Sequence, residues 1–392
     1  MKAKILTLAI LGATASGLFC VGAYAHTRAG IGDEKQALPE IKTPGNLAGN
    51  LPDALGIRWL EFDHDFGLMK EVAGPKTGRS RFVNEGTQTV SIVNVKPSCG
   101  CTNATFTGEP IEPGDTATIT YTYDPTGRPG KFKKTVKVTL DNGMKYSIGI
   151  SGNVLGTPES LDALYPIEAG ALRLNWDMVN FGDVKMGSEP ARFISSYNLS
   201  ADTVSPVARC EVEGMKVGRN SKKAGPGDIT TFGVYFDTKS YGKMGPFEIP
   251  IEILADESDP EAGRATVTAK GVILPGAMRL TAEQERKAAH AFMQPDPVDL
   301  GVIAAGREPE FTIAVLNEGK TPLEIQSVFD REGDVEITSL PKAIKPGKSG
   351  KIKGKLKAGT MATGPFRKTL TVISNDPRGG GVQETHLCGD KQ

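Results

Sequence analysis

The constraint that shapes any fold for this chain is a threefold internal repeat. An opening triplet occurs as Asp65-Phe66-Gly67, Asn180-Phe181-Gly182 and Asp299-Leu300-Gly301. A polar turn follows each, at Gly74-Pro75, Gly187-Ser188 and Gly306-Arg307, and then a segment carrying Phe82, Phe193 or Phe311. Copies one and three next show Asn-Glu-Gly, at Asn84-Glu85-Gly86 and Asn317-Glu318-Gly319. A glycine turn comes later in every copy, at Pro113-Gly114, Pro226-Gly227 and Pro346-Gly347. Phe132, Phe247 and Phe366 stand 65 positions after Gly67, Gly182 and Gly301 respectively, and the copies close on Gly152, Gly271 and Gly389. A repeat of this length means one folding unit used three times in tandem.

Between the landmarks, side chains alternate with period two. In 116–123 this puts Ala117, Ile119, Tyr121 and Tyr123 on one face, and in 135–140 it does the same for Val136, Val138 and Leu140. Short alternating runs separated by Gly, Pro and Asn turns predict half-buried antiparallel strands. About seven such strands per unit predict an all-β chain of three immunoglobulin-like sandwiches. The expected modules are 57–156, 172–275 and 295–392. Tyr165–Ala171 is read as the first connection. In the second, Thr281 and Gln284 form a capping-box pattern that predicts a short linker helix over 281–294.

The chain opens Met1-Lys2-Ala3-Lys4, continues apolar from Ile5 to Gly22, and reaches Ala23-Tyr24-Ala25. This is the layout of an export signal cleaved after Ala25, followed by a flexible segment over 26–56. Cys20 follows Phe19, too large for a lipid-attachment site, and is read as part of the discarded segment. Cleavage removes Lys2 and Lys4 from a chain with formal net charge +0. The mature protein is thus slightly acidic and lacks the basic field that nucleic acid requires. No further stretch is apolar enough to anchor it in a membrane, so a periplasmic, secreted or cell-envelope location is expected.

Module one carries Ser98-Cys99-Gly100-Cys101-Thr102 beside Phe66-Gly67, Asn84-Glu85-Gly86 and Gly130-Lys131-Phe132. On these residues it resembles the bacterial domain-of-unknown-function family 1573, related to Hydin-type immunoglobulin-like domains, over about 57–155. Modules two and three look like diverged relatives without the Cys-Gly-Cys. The resemblance implies a β-sandwich in an exported protein and implies no chemistry.

Four cysteines remain after cleavage: Cys99, Cys101, Cys210 and Cys388. In an oxidising compartment, Cys99 and Cys101 can form a local disulfide across the flexible Gly100. The same pair can supply two thiolates to a soft metal such as copper(I), or act as a redox dithiol. Pairing with Cys210 or Cys388 is a further alternative, although both read as structural thiols, Cys210 at a strand position matching Val95. His26, the expected new N-terminus, can chelate copper only with a second histidine from His64, His290 or His386.

Other candidates have plainer readings. Asp63-His64-Asp65 is a polar triplet at a strand entrance rather than a metal site. Asp256–Glu261 has calcium-friendly oxygens in no known loop pattern and reads as turn chemistry. Lys351, Lys353, Lys355 and Lys357 alternate along one strand. They either guard a sheet edge or form a patch for an anionic glycan. No nucleophile elbow, phosphate loop or metalloprotease helix occurs. The expectation is therefore a non-enzymatic envelope interaction or scaffolding protein that binds an unknown protein or glycan and needs no cofactor. The alternatives are a copper or redox carrier through Cys99 and Cys101, and a glycan-active or glycan-binding protein.

Overall fold

A computed structural model describes Asp53 and residues 56–392. The expected signal over 1–25, Cys20, His26 and, apart from Asp53 and Gly56, the segment 26–56 lie outside the described residues.

Module one contains β1 (Ile57–Glu61), β2 (His64–Lys70), β3 (Lys76–Asn84), β4 (Ile92–Pro97), β5 (Thr102–Phe106), β6 (Thr116–Tyr123), β7 (Gly130–Leu140) and β8 (Lys145–Leu155). They form two four-stranded sheets, ordered β1-β3-β6-β5 and β2-β8-β7-β4. Module two contains β9 (Ile167–Ala169), β10 (Leu172–Leu174), β11 (Met178–Lys185), β12 (Ala191–Asn198), β13 (Val207–Arg209), β14 (Met215–Arg219), β15 (Ile229–Phe236), β16 (Gly245–Leu254) and β17 (Arg264–Leu274). Its sheets are β14-β15-β12-β10-β9 and β11-β17-β16-β13. Module three contains β18 (Ala291–Gln294), β19 (Val298–Ile303), β20 (Glu310–Asn317), β21 (Ile325–Phe329), β22 (Val335–Ser339), β23 (Ser349–Leu356), β24 (Gly364–Ser374) and β25 (Val382–Lys391), ordered β18-β20-β23-β22 and β19-β25-β24-β21. The three sandwiches therefore share one strand order, to which module two adds the edge strand β9.

The alternation does what the pattern predicts. Ala117, Ile119, Tyr121, Tyr123, Val136, Val138 and Leu140 are all buried in the core of module one. Each module has its own apolar cluster of this kind, which is how two facing sheets remove their inner surfaces from water.

The repeated landmarks have local physical causes. The Asp65, Asn180 and Asp299 carboxylate or amide oxygens accept from the N–H of Gly67, Gly182 and Gly301 at 3.0, 2.8 and 2.9 Å. These glycines sit at φ +64°, +67° and +63°, where a side chain is strained. The result is a bulge in β2, β11 and β19, each of which otherwise pairs in parallel with the last strand of its module. Opposite the bulge, Gly152, Gly271 and Gly389 pair with Phe132, Phe247 and Phe366. A Cβ on these three would approach the bulge carbonyl to 3.2, 2.6 and 2.8 Å and the phenylalanine ring to 2.8, 3.0 and 3.0 Å. The 65-residue spacing thus reports one packed triad of bulge, ring and missing side chain.

A second landmark is a fully buried asparagine in each module: Asn84, Asn198 and Asn317. Its Nδ2 donates to two carbonyls: Gln88 and Ile111 (2.8 and 2.9 Å), Asp202 and Ala224 (2.7 and 2.9 Å), or Thr321 and Ile344 (2.8 Å each). Its Oδ1 accepts from the N–H of Gly86, Ser200 or Gly319 at 3.0, 2.9 and 2.9 Å. Its backbone carbonyl accepts from Gly114, Gly227 or Gly347 of the Pro-Gly turn. One residue ties two loops to one strand end. Module two uses Asn198-Leu199-Ser200 instead of Asn-x-Gly, so the sequence reading found the motif only in copies one and three.

Three local expectations need correction. The linker helix runs Ala282–Lys287, six residues, not 281–294; its capping box is present, with Thr281 Oγ1 accepting from Gln284 N–H at 3.2 Å. None of its residues is buried. By contrast, Ala289 and Ala291 reach the core of module three and 291–294 gain a ladder with 314–317, so extended backbone wins. The connection after module one holds an unexpected helix, Pro158–Leu164, with Thr157 as cap and Pro158 at its first position. The Tyr165–Ala171 stretch is no plain linker, because β9 within it pairs with β10. Cys210 lies just past the end of β13.

The modules are joined by specific contacts. Buried Glu71 accepts from Gly127 N–H (2.7 Å), Thr157 N–H (2.9 Å) and Ser160 Oγ (2.5 Å), fixing the connecting helix to module one. Leu161 and Tyr165 of this connection pack with Tyr197 of module two, whose hydroxyl accepts from Gly156 N–H. Asp228 of module two pairs with Lys131 (2.8 Å) and accepts from Asn153 Nδ2 (3.0 Å). Arg331 of module three makes a two-pronged bond to Asp183 of module two at 2.8 and 2.9 Å.

Two predictions follow from these bonds. Asn198→Ala strips the Ala224 and Asp202 carbonyls and the Ser200 N–H and hydroxyl of a partner, and should cost about 3 kcal/mol in urea unfolding of module two; a loss under about 0.5 kcal/mol would contradict its role. Burial alone would raise the Glu71 pKa, but hydrogen bonds from Ser160, Gly127 and Thr157 outweigh it and hold the carboxyl below its ordinary value of 4.5. A depressed carboxyl stabilises fully above that value, and the contribution is lost as pH falls through the lower folded pKa. Glu71→Gln should lower the melting temperature at pH 7 and shrink the drop between pH 7 and pH 3; an unchanged acid limb would refute it.

Candidate functional site

Three surfaces gather chemistry-bearing side chains. The first is the Cys99–Cys101 loop. It crosses from β4, an edge of one sheet of module one, to β5, an edge of the other. Ser98 N–H donates to the Thr135 carbonyl at 2.8 Å and Asp124 N–H to the Cys101 carbonyl at 2.9 Å, so both ends of the loop are pinned. The two sulfurs lie paired, with Cα atoms 5.2 Å apart. Thr102 Oγ1 sits 3.5 Å from Cys99 Sγ and 3.9 Å from Cys101 Sγ. Cys101 is buried, Cys99 is half-buried, and Gly100 is exposed with open space around it. Cys210 and Cys388 are half-buried, unpaired and in other modules. A soft metal would need both thiols reduced, because a paired sulfur offers no thiolate.

The second surface is the outer face of the five-stranded sheet of module two. Phe193 is 60% exposed and Tyr235 48% exposed. Phe193 is opposite Gly233, which is opposite Gly218, so a floor of two glycines on adjacent strands lies beside the ring. The Tyr235 ring lies back over Gly233, where a Cβ would stand 2.7 Å from it. Phe193 occupies the repeat position of Phe82 and Phe311, yet those two are buried. The parity explains it. Phe82 and Phe311 stand an even number of positions before their buried asparagines, whereas Phe193 stands five before Asn198 and faces outward. Counting from Asn198 would have exposed this signal.

The third is a cleft of about 510 Å³ between modules two and three, lined by Asp183, Phe247, Lys270, Asp330, Arg331 and Glu332 among others. The Arg331–Asp183 bond spans the same junction, and hydrogen bonding from Arg331 holds the Asp183 carboxyl below its ordinary range.

The remaining candidates disperse. Asp63 accepts from Gly149 N–H at 2.6 Å, the His64 ring packs edge-on to Phe66, and Asp65 caps Gly67, so the triplet serves three separate contacts. In the acidic loop, Asp256 accepts from Ser258 and Ser205, Glu257 pairs with Arg219 at 2.9 Å, and Asp259 caps a turn of 3-10 helix. No cluster of three or more His, Cys, Asp or Glu side chains that could hold a metal occurs among the described residues.

Lys351, Lys353 and Lys355 do share the outward face of β23, and Lys357 lies just beyond it. However, β23 lies between β20 and β22, so the reading of a guarded edge strand is overturned; the edges of that sheet are β18 and β22. Lys355 and Lys357 are each 3.4 Å from a carboxylate, of Glu310 and Glu336. The cross-strand placement of these acids dilutes the positive patch.

No helix among the described residues is long and apolar enough to cross a membrane. No curated protein matches the sequence. Among solved structures, the chain is similar to a protein of unknown function from Porphyromonas gingivalis W83, at 16% identity over 56% of this chain and 100% of that one, with a TM-score of 0.41. It is also similar to the secreted serine protease VesC from Vibrio cholerae, at 15% identity over 48% of each chain and a TM-score of 0.26. A third similarity is to the E. coli chaperone DraB, at 11% identity over 55% of this chain and 96% of that one, with a TM-score of 0.21. Scores this low carry no argument. The sequence match is more specific: residues 57–154 and 293–383 fit the family model described as a protein of unknown function, DUF1573. These two matched stretches fall in modules one and three, which fit the DUF1573 family model and share their strand order with module two.

Proposed function

We propose that this chain is an exported, non-enzymatic interaction protein of the cell envelope that engages its partner through the outer aromatic face of module two. The observation that carries the reading is the pair of exposed rings, Phe193 and Tyr235, on a floor of Gly233 and Gly218. Large aromatic side chains left in water on a rigid sheet contribute more to binding than to folding, and such residues dominate contact energetics. The contacts at Glu71, Tyr197 and Asp228 orient module two against module one, and Arg331 orients it against module three. A partner thus meets a preformed surface and loses little entropy ordering it. The partner is an envelope protein or glycan, since planar rings serve both.

Two measurements test this. N-terminal sequencing of the protein recovered from outside the cytoplasm should begin at His26; a chain that stays in the cytoplasm and keeps Met1 would refute export. The double variant Phe193→Ser/Tyr235→Ser should keep its melting temperature. It should bind the envelope component captured by the unaltered protein about thirtyfold more weakly, the loss of roughly 2 kcal/mol expected for a central aromatic contact. Equal capture by the variant would sink the assignment of the surface.

A further inference from the structure

We infer that Cys99 and Cys101 form a reversible disulfide that exchanges with the dithiol of a partner, making the edge of module one a redox-exchange site. The inference stands apart from the partner face of module two.

The sandwich does not need the bond. A disulfide stabilises chiefly by closing a loop in the unfolded chain, and the effect falls as the loop shortens. This pair closes a loop with a single intervening residue, Gly100. The turn is already held by Thr102 N–H to the Cys99 carbonyl at 3.4 Å and by the anchors at Ser98 and Cys101. The other modules supply an internal control. The same crossing from one sheet to the other is made in module three between β21 and β22, where the buried Asp330 carboxylate accepts from Asp334 and Val335 N–H at 2.9 Å each. In module two it is made between β13 and β14 with the single, unpaired Cys210. Two of three copies thus build this crossing without a sulfur bridge.

One of the two sulfurs is accessible. Exchange requires a thiolate to approach one sulfur along the S–S axis while the other leaves. Cys99 is the half-buried, outer member beside exposed Gly100, whose surroundings are open; Cys101 is the inner member at 6% exposure. The Thr102 hydroxyl is within reach of both sulfurs and can donate to whichever one carries charge.

A partner thiolate attacks Cys99 Sγ, forming a mixed disulfide and breaking the Cys99–Cys101 bond. The electron pair goes to Cys101 Sγ, which leaves as a thiolate beside Thr102 and takes a proton from water. The second partner thiolate then attacks the partner sulfur of the mixed disulfide and releases Cys99 as a thiolate, which also takes a proton from water. The partner dithiol is oxidised to a disulfide by two electrons, and the Cys99–Cys101 pair is reduced to two thiols.

The test uses the full mature chain with Cys210→Ser and Cys388→Ser, so that only the pair reports. Equilibration in glutathione redox buffers, followed by alkylation and mass measurement, should show the pair converting between zero and two free thiols with an unchanged circular dichroism spectrum. In the same background, Cys101→Ser should trap glutathione on Cys99, and Cys99→Ser should trap at least about tenfold less on the inner Cys101. A pair that resists millimolar dithiol until the module unfolds would overturn the inference. So would reduction that itself melts module one, or equal trapping by both single variants. The Phe193→Ser/Tyr235→Ser variant should exchange normally, so failure of the partner face and failure of this site remain distinguishable.

Discussion

The structure depends on one buried amide repeated three times. Asn84, Asn198 and Asn317 each end an inner strand, and each binds the loop that follows it, the carbonyl of a distant bridge, and the Pro-Gly turn. A fully buried amide tolerates only complete satisfaction, because an orphaned polar group costs more than a made bond gains. The asparagine therefore fixes strand register and loop path together. The second constraint, the glycine bulge seated against Phe132, Phe247 or Phe366, sets where the parallel strand can lie on the last strand of each module. Between them these two devices account for nearly every landmark in the repeat.

From fixed modules, orientation follows. Glu71 gathers three donors from module one and the connecting segment, and the Tyr197 hydroxyl closes the next contact. The junction between modules two and three includes an exposed Arg331–Asp183 bond, which water and salt weaken. The first junction is thus buried and apolar at its centre, while the second carries this exposed ion pair beside a cleft. The middle module is held on both sides, with its aromatic face left outward.

The repeat made the sandwiches legible, since period-two alternation and fixed turns survive without any knowledge of tertiary contacts. Legibility failed where parity or neighbours decided. Phe193 looked equivalent to Phe82 by position, but an odd offset from Asn198 turned it out of the core. The lysines of β23 looked like an edge guard because sequence shows alternation but not which strands flank it. The 281–294 segment had helix formers throughout, yet the core contacts of Ala289 and Ala291 overrode propensity after Lys287. The Pro158–Leu164 helix was readable in principle, from Thr157 as cap and Pro158 after it, and was missed because the segment is short. The Cys-Gly-Cys loop was visible from the outset. What the sequence could not supply was the difference in burial between its two sulfurs or the hydroxyl beside them.

The central claim, that a satisfied buried amide locks each module, is tested most directly by proton exchange at the side-chain amides of Asn84, Asn198 and Asn317. If the account holds, these protons exchange as slowly as the backbone amides of the central strands, because both open only when the module unfolds. Exchange at the rate of exposed loop asparagines in any of the three would contradict it.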